Sequence, residues 1–351
     1  MKRYGYLYEK IYDFDNLYDA YLKARKNKRY RAETLKFTMN LEENLINIQN
    51  ELIWKTYKPL PVRQFYVSEP KRRLISAPAF YDRVVHHALC NIVEPIFDKT
   101  FIYHSFACRN GKGTHAAVDA LIKFLRQAIA KHDRVYCLKG DISHFFPSID
   151  RDTLYHIIER KIKDPDVLWL VKGIIDGNDG SVGIGIGALT SQLFANIYLN
   201  ELDHFVKEPL RVHWYVRYMD DFLLLGPDKE EMHRLRQEIE QFLWDKLRLK
   251  TNGKTQVFPV SHGITFLGYR IWPTHTLLKS AAKKRMKKKL RQLSKLYSDG
   301  KVTFSEVNAS VQSYIGHMAH ACTYEFRKNL FKHLTFNVKK ERQINGRMVR
   351  K

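Results

Sequence analysis

Tyr218-Met219-Asp220-Asp221 stands between two apolar runs, His213-Trp214-Tyr215-Val216-Arg217 and Phe222-Leu223-Leu224-Leu225-Gly226. Aromatic and apolar residues of this kind suit strands, so the four residues read as the tip of a β-hairpin. A turn exposes carboxylate oxygens that a strand interior would bury. Aspartate is also common in turns for conformational reasons alone, so the pair by itself supports either reading. A second acidic strand end lies upstream, in Tyr136-Cys137-Leu138-Lys139-Gly140-Asp141-Ile142-Ser143-His144-Phe145-Phe146. An apolar strand runs into Asp141, and two aromatics follow. Taken alone, Asp141 reads equally as a helix N-cap or a solvated loop residue. Taken together, Asp141, Asp220 and Asp221 offer the oxygen ligands that Mg²⁺ takes from proteins, beside phosphate and water. Two such ions would clamp the attacking and leaving oxygens of an in-line phosphoryl displacement.

With both acidic strand ends in view, the chain resembles a reverse transcriptase. Asp141 to Phe146 resembles the first metal-binding motif of the palm, and Tyr218 to Asp221 the second. Between them lies Gly185-Ile186-Gly187-Ala188-Leu189-Thr190-Ser191-Gln192-Leu193-Phe194-Ala195-Asn196-Ile197-Tyr198-Leu199. Group II intron enzymes have a similar stretch, with Pro-Gln-Gly at its start and Ser-Pro in its middle. Here Ile186 stands where that Gln belongs and Gln192 where that Pro belongs. The resulting Ile-Gly-x-x-x-Ser-Gln pattern resembles the reverse transcriptases of diversity-generating retroelements, which copy a template RNA and misincorporate at its adenines. Lys71-Arg72-Arg73-Leu74-Ile75-Ser76-Ala77-Pro78 and Asp82-Arg83-Val84-Val85-His86-His87 resemble the fingers. Leu249-Lys250-Thr251-Asn252-Gly253-Lys254-Thr255 resembles the fourth palm motif. Phe266-Leu267-Gly268-Tyr269 resembles the primer grip.

The resemblance implies an α+β right-hand polymerase fold. Residues 1–130 would hold the N-terminal region and fingers, 131–275 the palm with its antiparallel sheet and helices, and 276–351 a basic helical thumb and tail. It implies Asp141, Asp220 and Asp221 as catalytic residues that, with Ile142, hold two Mg²⁺ ions. Arg72 and Arg73 would reach the triphosphate of the incoming dNTP, a role that the fork of a guanidinium suits. Phe146 would stack under its sugar and leave no room for a 2′-hydroxyl. The competing reading makes Phe146 a core aromatic, because either it or Phe145 must face inward. Ile186 and Gln192 would line the same nucleotide site. Lys254 would protonate the leaving pyrophosphate, or is simply a surface loop lysine.

Composition agrees with a nucleic-acid partner. Of 351 residues, 60 are Lys or Arg and 37 are Asp or Glu, a formal charge of +23. That excess favours a polyanion, with nucleic acid ahead of an anionic membrane. No apolar run is long enough to span a bilayer, and the N-terminus lacks an apolar signal core. Cys90, Cys108, Cys137 and Cys322 are too scattered for a zinc site, so buried reduced thiols in a cytoplasm are expected. Helical runs are expected over Leu35–Trp54, Asp82–Phe97, Thr153–Lys163, Lys229–Leu247 and Ser280–Lys295. The last of these carries Lys283, Lys284, Arg285, Lys287 and Lys288, with a narrow apolar seam of Met286, Leu290, Leu293 and Tyr297. It reads either as a thumb helix tracking a phosphate backbone or as a solvated face. Gly183-Ile184-Gly185-Ile186-Gly187 lacks the spacing of a dinucleotide fingerprint, and Gly111-Lys112-Gly113-Thr114 is not a P-loop.

The expected activity is RNA-directed DNA synthesis from a primer 3′-hydroxyl, by positioning and charge neutralisation. The expected partners are template RNA, the cDNA primer–template duplex, dNTPs, and a small basic helical accessory protein of a bacterial or phage-encoded retroelement. No RNase H or endonuclease domain is expected after the thumb, where Asn337 to Lys351 read as a short basic tail. Two other functions stay open: a retron or phage-defence type reverse transcriptase, and a non-catalytic RNA-binding or maturase-like module. A near-identical repeat pair in neighbouring DNA, differing mainly at adenines, would favour the diversity-generating retroelement over both.

Overall fold

The computed structural model describes residues 3–68, 72–177, 180, 182–332 and 334–337, with the backbone alone of 341–344 and 347–350. Lys71, expected beside Arg72 in the fingers, lies outside the described residues, as does part of the basic tail. The chain divides into two units, Met1–Ala117 with Leu138–Val257, and Val118–Cys137 with Phe258–Lys351.

The first unit begins with α1 (Tyr8–Tyr12), α2 (Phe14–Ala24), α3 (Ala32–Met39) and α4 (Leu41–Ile53), then an antiparallel pair, β1 (Arg63–Val67) and β2 (Arg73–Ala77). Helix α5 (Phe80–Asp98) follows, and α6 (Thr114–Lys131) and β3 (Tyr136–Asp141) carry the chain across the division and back. Then come α7 (Phe145–Ser148), α8 (Arg151–Glu159), α9 (Pro165–Asp176), α10 (Leu189–Lys207), β4 (Trp214–Tyr218), β5 (Asp221–Gly226), α11 (Lys229–Leu247) and β6 (Gln256–Pro259). The core lies around α5 and α10. Val84, Val85, Ala88, Leu89 and Val93 of α5 are buried, as are Phe194, Ala195, Ile197, Tyr198 and Leu199 of α10. The sheet has the order β4-β5-β3-β6. Helix α10 packs on β4 and α11 on β5, which covers the sheet and explains why both strands are buried almost throughout.

Local chemistry sets the helix ends. Asp150 caps α8 by accepting from the Thr153 amide at 2.8 Å, and Asp228 caps α11 by accepting from Glu231 at 2.6 Å. Arg248, at φ 52°, ends α11 in the left-handed region. Two expectations are corrected. The run Leu35–Trp54 is two helices, because Asn40 leaves helical geometry (φ −121°, ψ 49°) and the Asn44 side-chain amide donates to Phe37 O at 3.0 Å. The helix expected to reach Lys163 ends at Glu159, since Ile162 bridges Tyr4 in parallel.

The second unit holds the antiparallel meander β7 (Ile264–Phe266), β8 (Tyr269–Ile271) and β9 (Thr276–Leu278), then α12 (Ser280–Ser298), α13 (Phe304–Ala319) and α14 (Tyr324–Lys332). Met286, Leu290 and Leu293 are buried along α12, as the sequence seam predicts, together with Val307, Met318 and Leu330 of the next two helices. A Thr303–Glu306 capping box starts α13. No cysteine forms a disulfide. Cys90 and Cys137 are buried, but Cys108 and Cys322 are exposed, so burial of all four thiols is not found. Among the described residues no helix is long and apolar enough to cross a membrane.

Candidate active site

Strands β4 and β5 form the expected hairpin, with Tyr218 paired to Asp221 and Met219-Asp220 as its two-residue turn. The strand interiors are buried, whereas Asp220 and Asp221 are half-buried at the tip. The turn closes by placing Met219 at φ 54°, an uncommon conformation for a residue with a Cβ. Asp141 ends β3, the strand beside β5. Gly140 explains how closely these strands meet: a Cβ there would lie 2.0 Å from Phe222 Cζ. Asp141 and Asp221, each one residue from this contact, therefore share one end of the sheet.

Residues 250–255 clamp the Asp141 strand end. Asn252 N donates to Asp141 O at 2.9 Å, Ser143 N donates to Lys250 O at 2.8 Å, and Ile142 bridges Thr251. The Asn252 side-chain amide donates to Asp141 Oδ2, and its Oδ1 accepts from Lys254 N at 2.8 Å. The Lys254 side chain itself is exposed. The donors fit Mg²⁺ in kind, since all are oxygens. Among the described residues, however, no three His, Cys, Asp or Glu side chains are gathered as a metal-holding group. The structure brings the expected carboxylates to neighbouring strands without drawing their oxygens together.

The nucleotide-site candidates are joined through backbone bonds. Ser76 N, in β2, donates to Ile186 O at 2.8 Å. Gly187 (φ 133°) lets the loop lie against β2, where a Cβ would stand 3.0 Å from Ser76 O. Ile184 N donates to Phe146 O at 3.0 Å, tying α7 to the same loop. Phe145 is the buried ring of the pair, which leaves Phe146 half-buried. Ile186 is half-buried and Gln192 is exposed in the first turn of α10. Arg73 is exposed at the start of β2, and the exposed Arg72 lies 4.1 Å over the Tyr66 ring.

Sequence reasoning missed the support beneath the turn. Arg217 and Asp203 are fully buried and joined by two bonds of 2.7 Å, with Tyr215 Oη donating to Asp203 at 2.8 Å. Burial works against the charge of Arg217, but Asp203 outweighs it and holds the guanidinium above its ordinary range. Burial, then Asp203, pushes the Tyr215 phenol well up. The available signal was an arginine inside an otherwise apolar strand, since a buried charge needs a partner.

In the second unit, Phe266 and Tyr269 are buried and pair across a turn in which Leu267 has φ 47° and Gly268 φ 91°. Tyr269 Oη donates to His317 O at 3.0 Å. On α12, Lys284, Arg285, Lys287 and Lys288 are exposed, and Lys283 and Lys287 lie 5.6 and 5.4 Å from the Phe326 ring centre.

The family model described as reverse transcriptase (RNA-dependent DNA polymerase) matches residues 67–271. The chain belongs to the reverse transcriptase family. Among curated relatives, it is 28% identical over 267 residues to Protein YkfC of Escherichia coli K12, covering 64% of this chain and 70% of that protein. It is 24% identical over 348 residues to the group II intron-encoded protein LtrA of Lactococcus lactis subsp. cremoris, covering 78% of this chain and 54% of LtrA. Apo telomerase of Candida tropicalis superposes with a TM-score of 0.52 at 13% identity, over 80% of this chain and 60% of telomerase. That likeness shows the fold, the right-hand polymerase fold expected from the sequence. The reverse transcriptase match spans both acidic strand ends, the Ile186 loop and the Phe266–Tyr269 turn.

Proposed function

We propose that the protein is an RNA-directed DNA polymerase of a diversity-generating retroelement, copying a template RNA with errors at its adenines. The observation that carries the polymerase reading is the Asp220-Asp221 hairpin tip beside Asp141 on the neighbouring strand. Asp141, Asp220 and Asp221, with Ile142 alongside, would hold two Mg²⁺ ions, whose chemistry is to neutralise phosphate charge and lower the pKa of the primer hydroxyl. The protein's own share is alignment of the primer 3′-hydroxyl with the dNTP α-phosphate. Arg73 and Arg72 bind the triphosphate, Phe146 excludes the 2′-hydroxyl, and Lys254 delivers a proton to the leaving pyrophosphate. The Phe266–Tyr269 turn holds the primer, and the exposed basic face of α12 meets the duplex backbone. Fingers, palm and thumb correspond to 1–130, 131–275 and 276–351. A small basic accessory protein supplies further RNA binding.

The retroelement reading rests on Ile186 and Gln192. Ile186 is apolar, stiff and half-buried in a loop pinned to β2, where an intron-type enzyme has a Gln amide. Without that amide, a mispair strands no buried polar group, and the penalty for error shrinks. Discrimination worth about 1–3 kcal/mol sets error frequency by roughly 10–200-fold. Sequencing cDNA made from one RNA template by wild type and Ile186→Gln tests this. The variant should make fewer errors opposite adenine, with smaller changes elsewhere. Equal adenine error rates would exclude Ile186 as their source. The intron-encoded relative LtrA gives an intron-type enzyme as the second reading, which predicts low adenine error in both proteins.

A further inference from the structure

We infer that Arg217 is the positioning residue of the catalytic turn and couples it to α10; this rests on the polymerase reading of Asp220 and Asp221. Arg217 has no exposed surface, and each of its five N–H donors has an acceptor. Nε and Nη2 hold the two Asp203 oxygens at 2.7 Å each, and Nη2 also donates to Ser105 Oγ at 3.0 Å. Nη1 donates to Asn196 Oδ1 and to Met219 O, both at 3.2 Å. The main chain is held as firmly: Arg217 N donates to His104 O, and Phe106 N donates to Arg217 O, both at 3.0 Å.

The Met219 carbonyl is the informative acceptor. Its peptide carries the amide of Asp220, so the guanidinium fixes the orientation of the unit from which the carboxylate departs. Met219 itself sits at φ 54°, a conformation that persists only where its surroundings impose it. Asp203 and Asn196 both belong to α10, which starts just beyond Ile186 and carries Gln192 in its first turn. A displacement of α10 at the nucleotide loop therefore reaches the catalytic turn through one side chain. Stability alone does not call for this arrangement, because apolar residues of similar volume often replace a buried ion pair without loss. A five-fold hydrogen-bonded fork fixes geometry, which an apolar side chain cannot do.

Single-turnover primer extension on an RNA template separates positioning from folding. The rate constant reports the geometry of active molecules, and the amplitude reports how many are active. Arg217→Lys keeps the charge but loses the fork. The double variant Arg217→Met/Asp203→Asn removes both charges together and leaves an amide oxygen to accept from Tyr215; any loss of folded protein from the acceptors that Arg217 gives up falls in the amplitude. Both should lower the rate constant by about 10²-fold, the scale expected for an ångström of misplacement, with dNTP half-saturation changed only a few-fold. A double variant that adds nucleotides with the wild-type rate constant would overturn the inference, as would a loss confined to amplitude. A wild-type protein that extends no primer would instead remove the polymerase reading, and this inference with it.

Discussion

Replacing Gly140 with alanine should damage the candidate site without touching a carboxylate. The added Cβ would stand 2.0, 2.4 and 2.6 Å from three carbons of the Phe222 ring, where ordinary contact is 3.4–4 Å. Phe222 is 1% exposed, so the ring has no open space to enter. The Phe222 ring, and with it the end of β5, must then shift by roughly 1.5 Å to restore contact at the van der Waals optimum. Overpacking of this kind costs about 1–3 kcal/mol of stability. Because Asp141 follows Gly140 and Asp221 precedes Phe222, the same displacement parts the two carboxylates. A misplacement of about 1 Å can cost about 10²-fold in rate. Gly140→Ala should therefore fold with a lower melting midpoint and extend primers about 10²-fold more slowly per active molecule. Adding Phe222→Leu, which shortens the side chain facing the new methyl, should recover most of both losses. The assay is a double-mutant cycle on melting midpoint and single-turnover rate. Wild-type activity in Gly140→Ala, or additive effects of the two substitutions, would refute the contact and the shared sheet end inferred from it.

Phe146→Ala should raise the ratio of rNTP to dNTP incorporation in competition assays, since Phe146 is the half-buried ring of the pair; an unchanged ratio would move sugar selection elsewhere, with Phe145 next in line. Burial holds His86 and His87 down at about 4, below the ordinary 6.5, so each contributes stability that is present above pH 6.5 and lost as pH falls through 4. Burial pushes Asp82 up from 3.8 to about 6 despite bonds from Tyr57 and Leu60, so its contribution is present below pH 3.8 and lost as pH rises through 6. Asp82→Asn removes this opposing slope, and its melting midpoint should fall more steeply than that of wild type between pH 7 and pH 4.5; parallel curves would refute the assignment.

The hairpin was legible because a carboxylate pair interrupts two strand-like runs, and no helix pattern fits them. Helix α11 was legible to its last residue from its helical pattern, and the structure ends it with the Asp228 cap and the left-handed Arg248. The break at Asn40 was not, since apolar residues continue at helical spacing across it and only the Asn40 backbone and the Asn44 side-chain bond to Phe37 show the interruption. Asp141, Asp220 and Asp221 could be picked from sequence, but their support could not. Arg217 and Asp203 are 14 positions apart, and Asn252 reaches Asp141 across 111. Pairings of that range follow from sheet order and helix packing, which no local pattern encodes. Arg217 in an apolar strand did announce that a partner must exist, without saying which one.

The proposed activity is DNA synthesis from an RNA template through Asp141, Asp220 and Asp221. The most direct measurement is extension of a DNA primer annealed to RNA, with Mg²⁺ and dNTPs, by wild type, Asp141→Asn and Asp220→Asn in parallel. These substitutions remove one charge each and preserve side-chain shape. Wild type should give full-length cDNA and both variants background extension, with melting midpoints close to wild type. Near-normal extension by either variant would contradict the assignment of these carboxylates, and no extension by a folded wild-type protein would contradict the claim itself.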